Sequence, residues 1–186
     1  MKNREILGGK NIVLGVCSSI AVYKSCDLVS ELVKSGASVR VVMTAAAAKL
    51  ISPRIFQTLS KNPVCVDMWA EVSDWKPEHI SLAEGADALV VAPATANAIG
   101  HFAAGIADDF LSTVYLACRC PVLVAPAMNS AMYEHPAVVR NIGVLSCDGV
   151  EFVGPDDGKL ACGTSGRGRM AQVGEIVDAL CRILED

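Results

Sequence analysis

Apolar and polar positions follow two rhythms along this chain. Asn11 to Val16 (NIVLGV), Ala88 to Ala92 (ALVVA) and Val122 to Ala125 (VLVA) are short apolar runs with no polar alternation. Such runs predict strands buried on both faces. Ser38 to Met43 (SVRVVM) predicts another strand, and Val64 to Val66 and Glu151 to Val153 two shorter ones. Between them the apolar positions fall at helical spacing. That pattern predicts helices over about Ser19 to Ser35, ending at Gly36, from Thr44 onward, and over Ile51 to Ser60. Further helices are predicted over about Thr95 to Ala103, Asp108 to Ala117, Pro136 to Ile142 and Val173 to Leu184. Strands interleaved with helices imply a parallel sheet covered on both faces. The expected fold is α/β, a single-domain doubly wound parallel sheet over residues 1–186, a flavodoxin/Rossmann-like three-layer sandwich.

Composition adds three restrictions. At 186 residues the chain can bury one sizeable core, yet it is 52% apolar and only 19% charged. With a mean hydropathy of +0.41, part of that apolar surface is expected to be covered by subunit contacts in a homo-oligomer. A net charge of −4 without a basic cluster argues against a nucleic-acid surface. Of the eight cysteines, Cys17, Cys26, Cys118 and Cys181 lie inside strand and helix patterns. The segment from Met1 to Lys10 is polar and charged, so neither a secretory nor a membrane segment is read there. The expectation is reduced thiols in a cytoplasmic protein. No pair has C-x-x-C spacing, and the C-x-C at Cys118 and Cys120 lacks partner ligands, so no metal is expected.

Two segments stand out chemically. Gly158 to Met170 (GKLACGTSGRGRM) has four glycines, too many for a helix or core strand, and carries Cys162, Arg167 and Arg169. It reads either as a mobile surface turn or as a clamp over an anionic ligand, spanning about residues 156–170. Upstream, Pro126 to Tyr133 (PAMNSAMY) directly follows an apolar strand. In a doubly wound sheet the ligand sits beyond the carboxyl ends of the strands. The loops expected there hold Gly15, Ser18 and Ser19, then Thr44, then Pro93, Thr95 and Asn97, then Ala127, Met128 and Asn129. The first lacks both the G-x-G-x-x-G and the P-loop spacing, and offers two hydroxyls at a helix start. Hydroxyls, free N–H groups and the helix dipole suit a single terminal phosphate, favouring FMN over a dinucleotide. Ser18, Ser19, Thr95 and Asn129 also read as ordinary helix caps.

Taken in order, G-V-x-S-S-I-A-x-Y-K, H-I-x-L at His79, A-P-A-T-A-N, A-x-G-I-A-D-D, P-A-M-N-x-x-M-Y and L-A-C-G-x-x-G-x-G-R-M resemble one family over nearly the whole chain. That family is the homo-oligomeric flavin-containing cysteine decarboxylases, in particular its branch acting on 4'-phosphopantothenoylcysteine in coenzyme A biosynthesis. The resemblance implies FMN as cofactor, that small molecule as substrate, a trimer or dodecamer with shared sites, and the matching synthetase as a partner. It implies that His79 takes a proton as flavin oxidises the substrate thiol to a thioaldehyde, the electron sink for loss of CO2. It implies that Asn129 holds the carboxylate and that Cys162 protonates the enethiol as it is reduced. Met128, Ala161, Gly163 and Arg169 are the further substrate-binding positions it implies. His101 and His135 match no catalytic position. Arg167 stands at a variable one.

The same resemblance leaves other members of the fold open. Peptidyl-cysteine decarboxylases of the lantibiotic type stop at the enethiol. Non-catalytic flavin-binding regulatory subunits carry acidic tails and altered catalytic residues. A prenyl-flavin-forming transferase would lack the P-x-M-N and A-C-G segments, which this chain keeps.

Overall fold

Along each long strand, alternate side chains enter two separate cores. Ile12, Leu14 and Val16 join one with Val39, Val41, Ala88, Val90 and Leu123. Val13 joins the other with Val42, Leu89, Val91 and Val124. Because both faces are buried, the runs carry no polar alternation, and this is why they could be read from the sequence. The computed structural model describes residues 2–69, 77–159, 163 and 165–185, with only the backbone of residues 2, 3 and 159.

The central sheet comprises β1 (Asn11–Val16), β2 (Ser38–Met43), β3 (Val64–Cys65), β4 (Ala88–Ala94), β5 (Val122–Pro126) and β6 (Glu151–Phe152). All its pairings are parallel, in the order β3-β2-β1-β4-β5-β6. That is the Rossmann order, whose direction reverses between β1 and β4. Three helices, α1 (Val22–Lys34), α3 (Pro53–Ser60) and α9 (Val173–Glu185), cover one face. Four others, α4 (Glu78–Gly85), α5 (Ala96–Ala104), α6 (Phe110–Ala117) and α8 (Pro136–Cys147), cover the other. The short helices α2 (Ala45–Leu50) and α7 (Ser130–Tyr133) follow β2 and β5. The three-layer sandwich is therefore as expected. Gly36 stands beyond the α1 C-cap at φ +89°, a conformation that ends the helix and that side chains rarely adopt.

Three features differ from the sequence reading. α1 begins at Val22 rather than Ser19, and its N-cap Ala21 has no side-chain cap bond. α4 was not anticipated, because its eight residues bury only Leu82 and Ala83 and so show little helical periodicity. The glycine-rich segment contributes β7 (Asp156–Lys159) and β8 (Ser165–Arg169), an antiparallel ribbon outside the central sheet.

Its glycines are there for close approach. A Cβ at Gly168 would lie 2.2 Å from the Met128 carbonyl oxygen, and one at Gly166 2.5 Å from Ser130 Oγ. The Met128 N–H donates to the Gly168 carbonyl at 3.0 Å. Only side-chain-free residues let β8 dock this closely on the loop after β5.

Candidate active site

The site lies where the sheet order reverses, beyond the carboxyl ends of β1, β4 and β5. After β1 the chain passes Cys17 to Ser18 and Ser19; after β4 it reaches Thr95; after β5 it runs through Ala127, Met128 and Asn129. Backbone bonds lock these loops together. Cys17 N–H donates to the Pro93 carbonyl at 3.2 Å and Ala127 N–H to the Ala94 carbonyl at 2.9 Å. Burial pushes the Cys17 thiol up to about 12, so it packs as a neutral group.

Two adjoining cavities open there. The larger, 680 Å³, is lined by Ser18, Ser19, Tyr23, Thr95, Ala127 and Met128, together with Asn129, Met132 and Arg169. The smaller, 180 Å³, is lined by Ser18, Thr44, Thr95, Asn97, His101 and Asp109. Ser18 and Thr95 belong to both. The first cavity is broad, with small and apolar walls. The second is narrow, rimmed by hydroxyl and amide groups beside the starts of α2 and α5.

Local sequence explains these positions. Thr44 Oγ1 accepts from Ala47 N–H at 3.1 Å and Thr95 Oγ1 from Ala98 N–H at 3.3 Å, capping α2 and α5. Asn129 Oδ1 accepts from Ala131 N–H at 2.9 Å and caps α7. For Thr95 and Asn129 the cap fixes a side chain that also lines the cavity. For Ser18 and Ser19 capping is minor, since α1 starts later and Ser19 Oγ accepts only a 3.4 Å contact from Ala21 N–H.

Most of the expected residues converge here. Ser18, Ser19, Thr95, Ala127, Met128, Asn129 and Arg169 line the larger cavity, and Thr44 and Asn97 the smaller. Gly15 has another role: a Cβ there would meet Leu111 Cδ1 at 2.6 Å, so it admits α6 against β1 rather than facing either cavity. Pro93 is buried in β4 and ties the β1 and β4 ends through its carbonyl. Gly163 is exposed at φ +88°. Ala161 and Cys162 lie outside the described residues.

The two arginines part company. Arg167 Nε donates to the Pro155 carbonyl at 3.3 Å, and its guanidinium sits 5.4 Å from the Tyr133 ring centroid. Arg169 lines the larger cavity instead. Reading the sequence missed Lys24, whose Nζ donates to the Met170 carbonyl at 3.1 Å in the cavity wall. Burial and the neighbouring Arg169 charge lower its pKa. It also missed His101, paired with Asp108 at 2.9 Å beside the smaller cavity. The signal for Lys24 was the polar end of I-A-x-Y-K on the first turn of α1.

His79 stands apart. It lies in the first turn of α4, with its ring edge-on to Phe110 at 6.3 Å, and is not among the residues lining either cavity. Glu78 beside it bonds Arg40 at 2.7 Å and accepts from the Cys65 thiol at 3.1 Å. Among the described residues no group of three His, Cys, Asp or Glu side chains could hold a metal ion, and no helix is long and apolar enough to cross a membrane.

The family model described as Flavoprotein matches residues 1–185. The coenzyme A biosynthesis bifunctional protein CoaBC of Bacillus subtilis is 50% identical over 172 residues, spanning 92% of this chain and 42% of that protein. Its Escherichia coli counterpart is 45% identical over the same shares. The chain thus spans less than half the length of these curated relatives. Among solved structures, the FMN-dependent cysteine decarboxylase SpaF superposes with a TM-score of 0.83 at 31% identity, covering 96% of this chain and 97% of that one. A PPC decarboxylase mutant complexed with pantothenoylaminoethenethiol superposes at 0.84 and 28% identity, covering 96% and 100%.

Proposed function

The chain belongs to the flavoprotein family, and from that premise we propose that it is an FMN-dependent decarboxylase of 4'-phosphopantothenoylcysteine, forming 4'-phosphopantetheine. The observation that carries this reading is the pair of cavities at the sheet reversal. The smaller suits a phosphate, with Ser18, Thr44, Thr95 and Asn97 around it; the larger suits a flat ring stacked on small residues, with Asn129 beyond it. The names of the relatives point the same way: CoaBC proteins, FMN-dependent cysteine decarboxylases and PPC decarboxylase.

Bound FMN would supply the two-electron acceptor that takes hydrogen from the substrate thiol and later returns it. The rest falls to this chain's residues. Asn129, held by its α7 cap, offers the substrate carboxylate a neutral amide. A cationic partner would stabilise the carboxylate more than the departing CO2, and so raise the barrier. His79 takes the thiol proton as the C=S bond forms. The carboxylate then leaves as CO2, its bonding pair passing into the C=S group to give an enethiolate, which a proton from solvent converts to the enethiol. Cys162 gives a proton to the enethiol carbon as hydride returns, leaving the saturated aminoethanethiol. Arg169, in the cavity wall, binds the substrate's anionic end.

Because His79 lines neither cavity beside Asn129, the reading places it at the cavity of a neighbouring subunit, in a homotrimer or a dodecamer built from trimers. The exposed Ile20 and Tyr23 at the cavity mouth, 70% and 61% accessible, support such a contact. The matching synthetase activity is proposed as a partner function, and the cytoplasm as the location. The test of the cofactor is direct. Purified protein is expected to be yellow and to release FMN on denaturation; recovery of FAD, or a protein that cannot be reconstituted with FMN, would refute it.

A further inference from the structure

At the opposite end of the sheet from the cavities, α6 hands the chain to β5 through Cys118, Arg119 and Cys120. Cys118 is the α6 C-cap, with extended backbone at φ −67° and ψ 141°. The two cysteines stand two residues apart, and each thiol is close enough to perturb the other. Their interaction pushes the Cys118 thiol up and draws Cys120 down. Both line a groove of 780 Å³ between α4 and α6, with Glu84, Leu116 and Arg119 in its walls.

The other described thiols lack this arrangement. Cys17 and Cys181 are buried, Cys26 is half-buried on α1, Cys65 is committed to Glu78, and Cys147 is exposed on α8. Neither Cys118 nor Cys120 lines the cavities of the candidate active site, so the decarboxylase reading does not use them.

We propose that Cys118 and Cys120 form a thiol–disulfide exchange site for small-molecule disulfides, closing reversibly into a Cys118–Cys120 disulfide. Cys120 thiolate attacks one sulfur of the small disulfide, forming a mixed disulfide and releasing one small thiolate. Cys118 then gives up its proton to that thiolate and attacks Cys120 Sγ, expelling the second thiolate, which takes a proton from water. Two protein S–H bonds are lost and one S–S bond forms, while the small disulfide is reduced to two thiols. Arg119, between the two cysteines and in the groove wall, favours a disulfide bearing carboxylates.

The test treats the intact chain with glutathione disulfide, then alkylates the remaining thiols and maps them by mass spectrometry. Expected is a chain lighter by two hydrogens, with Cys118 and Cys120 lost from alkylation together and both restored by dithiothreitol. Cys147, exposed and alone, is the internal control and should react more slowly. Cys118→Ser should instead retain a glutathione adduct on Cys120, and Cys120→Ser should leave Cys118 reduced. A mixed disulfide that persists on Cys118 or Cys120 in the unaltered chain, alkylation of both cysteines unchanged, or reaction at Cys147 at the same rate would each overturn the proposal. Because the unaltered chain supplies the primary readout, loss of folding in either serine variant leaves it decidable.

Discussion

Replacing Gly168 by alanine tests whether the ribbon is a built wall of the cavity. The added Cβ would sit 2.2 Å from the Met128 carbonyl oxygen. Ordinary contact requires more than an ångström of additional separation, so β8 must move off the loop after β5. The Met128 N–H to Gly168 carbonyl bond, now 3.0 Å, is lost with that movement. Losing one such bond costs about 1 kcal/mol, and forcing a methyl into a packed contact costs about 1–3 kcal/mol. The sum, about 2–4 kcal/mol, corresponds to a fall in Tm of about 4–16 °C for a chain of this size. Met128, Asn129 and Arg169 move with the ribbon, so affinity for a substrate analogue should fall too. The assay is thermal unfolding at fixed protein and FMN concentration, with analogue binding measured beside it. Gly143→Ala is the matched control. It is exposed in α8 with nothing within 4 Å of an added Cβ, so helix propensity should stabilise the protein by about 0.5–1 kcal/mol. Wild-type Tm and analogue affinity in Gly168→Ala would refute the docking argument.

Mixing His79→Asn with Asn129→Asp protein, each inactive, should restore activity after subunit exchange; a dead mixture despite exchange, followed by native mass spectrometry, would rule out shared sites. Cys17, held neutral with its pKa up to about 12 from 9.0, contributes stability that is full below pH 9 and lost as pH rises toward 12. Cys17→Ala should therefore flatten that alkaline limb in denaturant titrations while lowering stability at pH 7 through the cavity it leaves. Cys162→Ala should still release CO2 but stall at an enethiol two hydrogens lighter than the product, whereas His79→Asn should leave the substrate intact; mass analysis of single turnovers separates them.

The parallel sheet was legible because strands buried on both faces leave unbroken apolar runs, as in NIVLGV and ALVVA. The cavity loops followed from the fold, since ligands in such sheets gather beyond the strand ends. Other features were not legible, for identifiable reasons. α4 is short and half-exposed, so His79 was known by its motif and not by its element. Gly15 looked like a ligand loop residue, but its missing side chain serves Leu111. The glycines of β8 read as flexibility, whereas they permit contact with Met128 and Ser130, a long-range demand that no local pattern records. Lys24 faces the cavity through its bond to Met170, 146 positions away in sequence, and so escaped local reading too.

The most direct test of the proposed function is to incubate the purified, FMN-loaded protein with 4'-phosphopantothenoylcysteine and weigh the product. The account predicts a product lighter by CO2 alone, because the two hydrogens removed from the thiol are returned. A product lighter by CO2 and two hydrogens would place the chain with the enethiol-forming peptidyl-cysteine decarboxylases. Unchanged substrate would contradict the account at its centre.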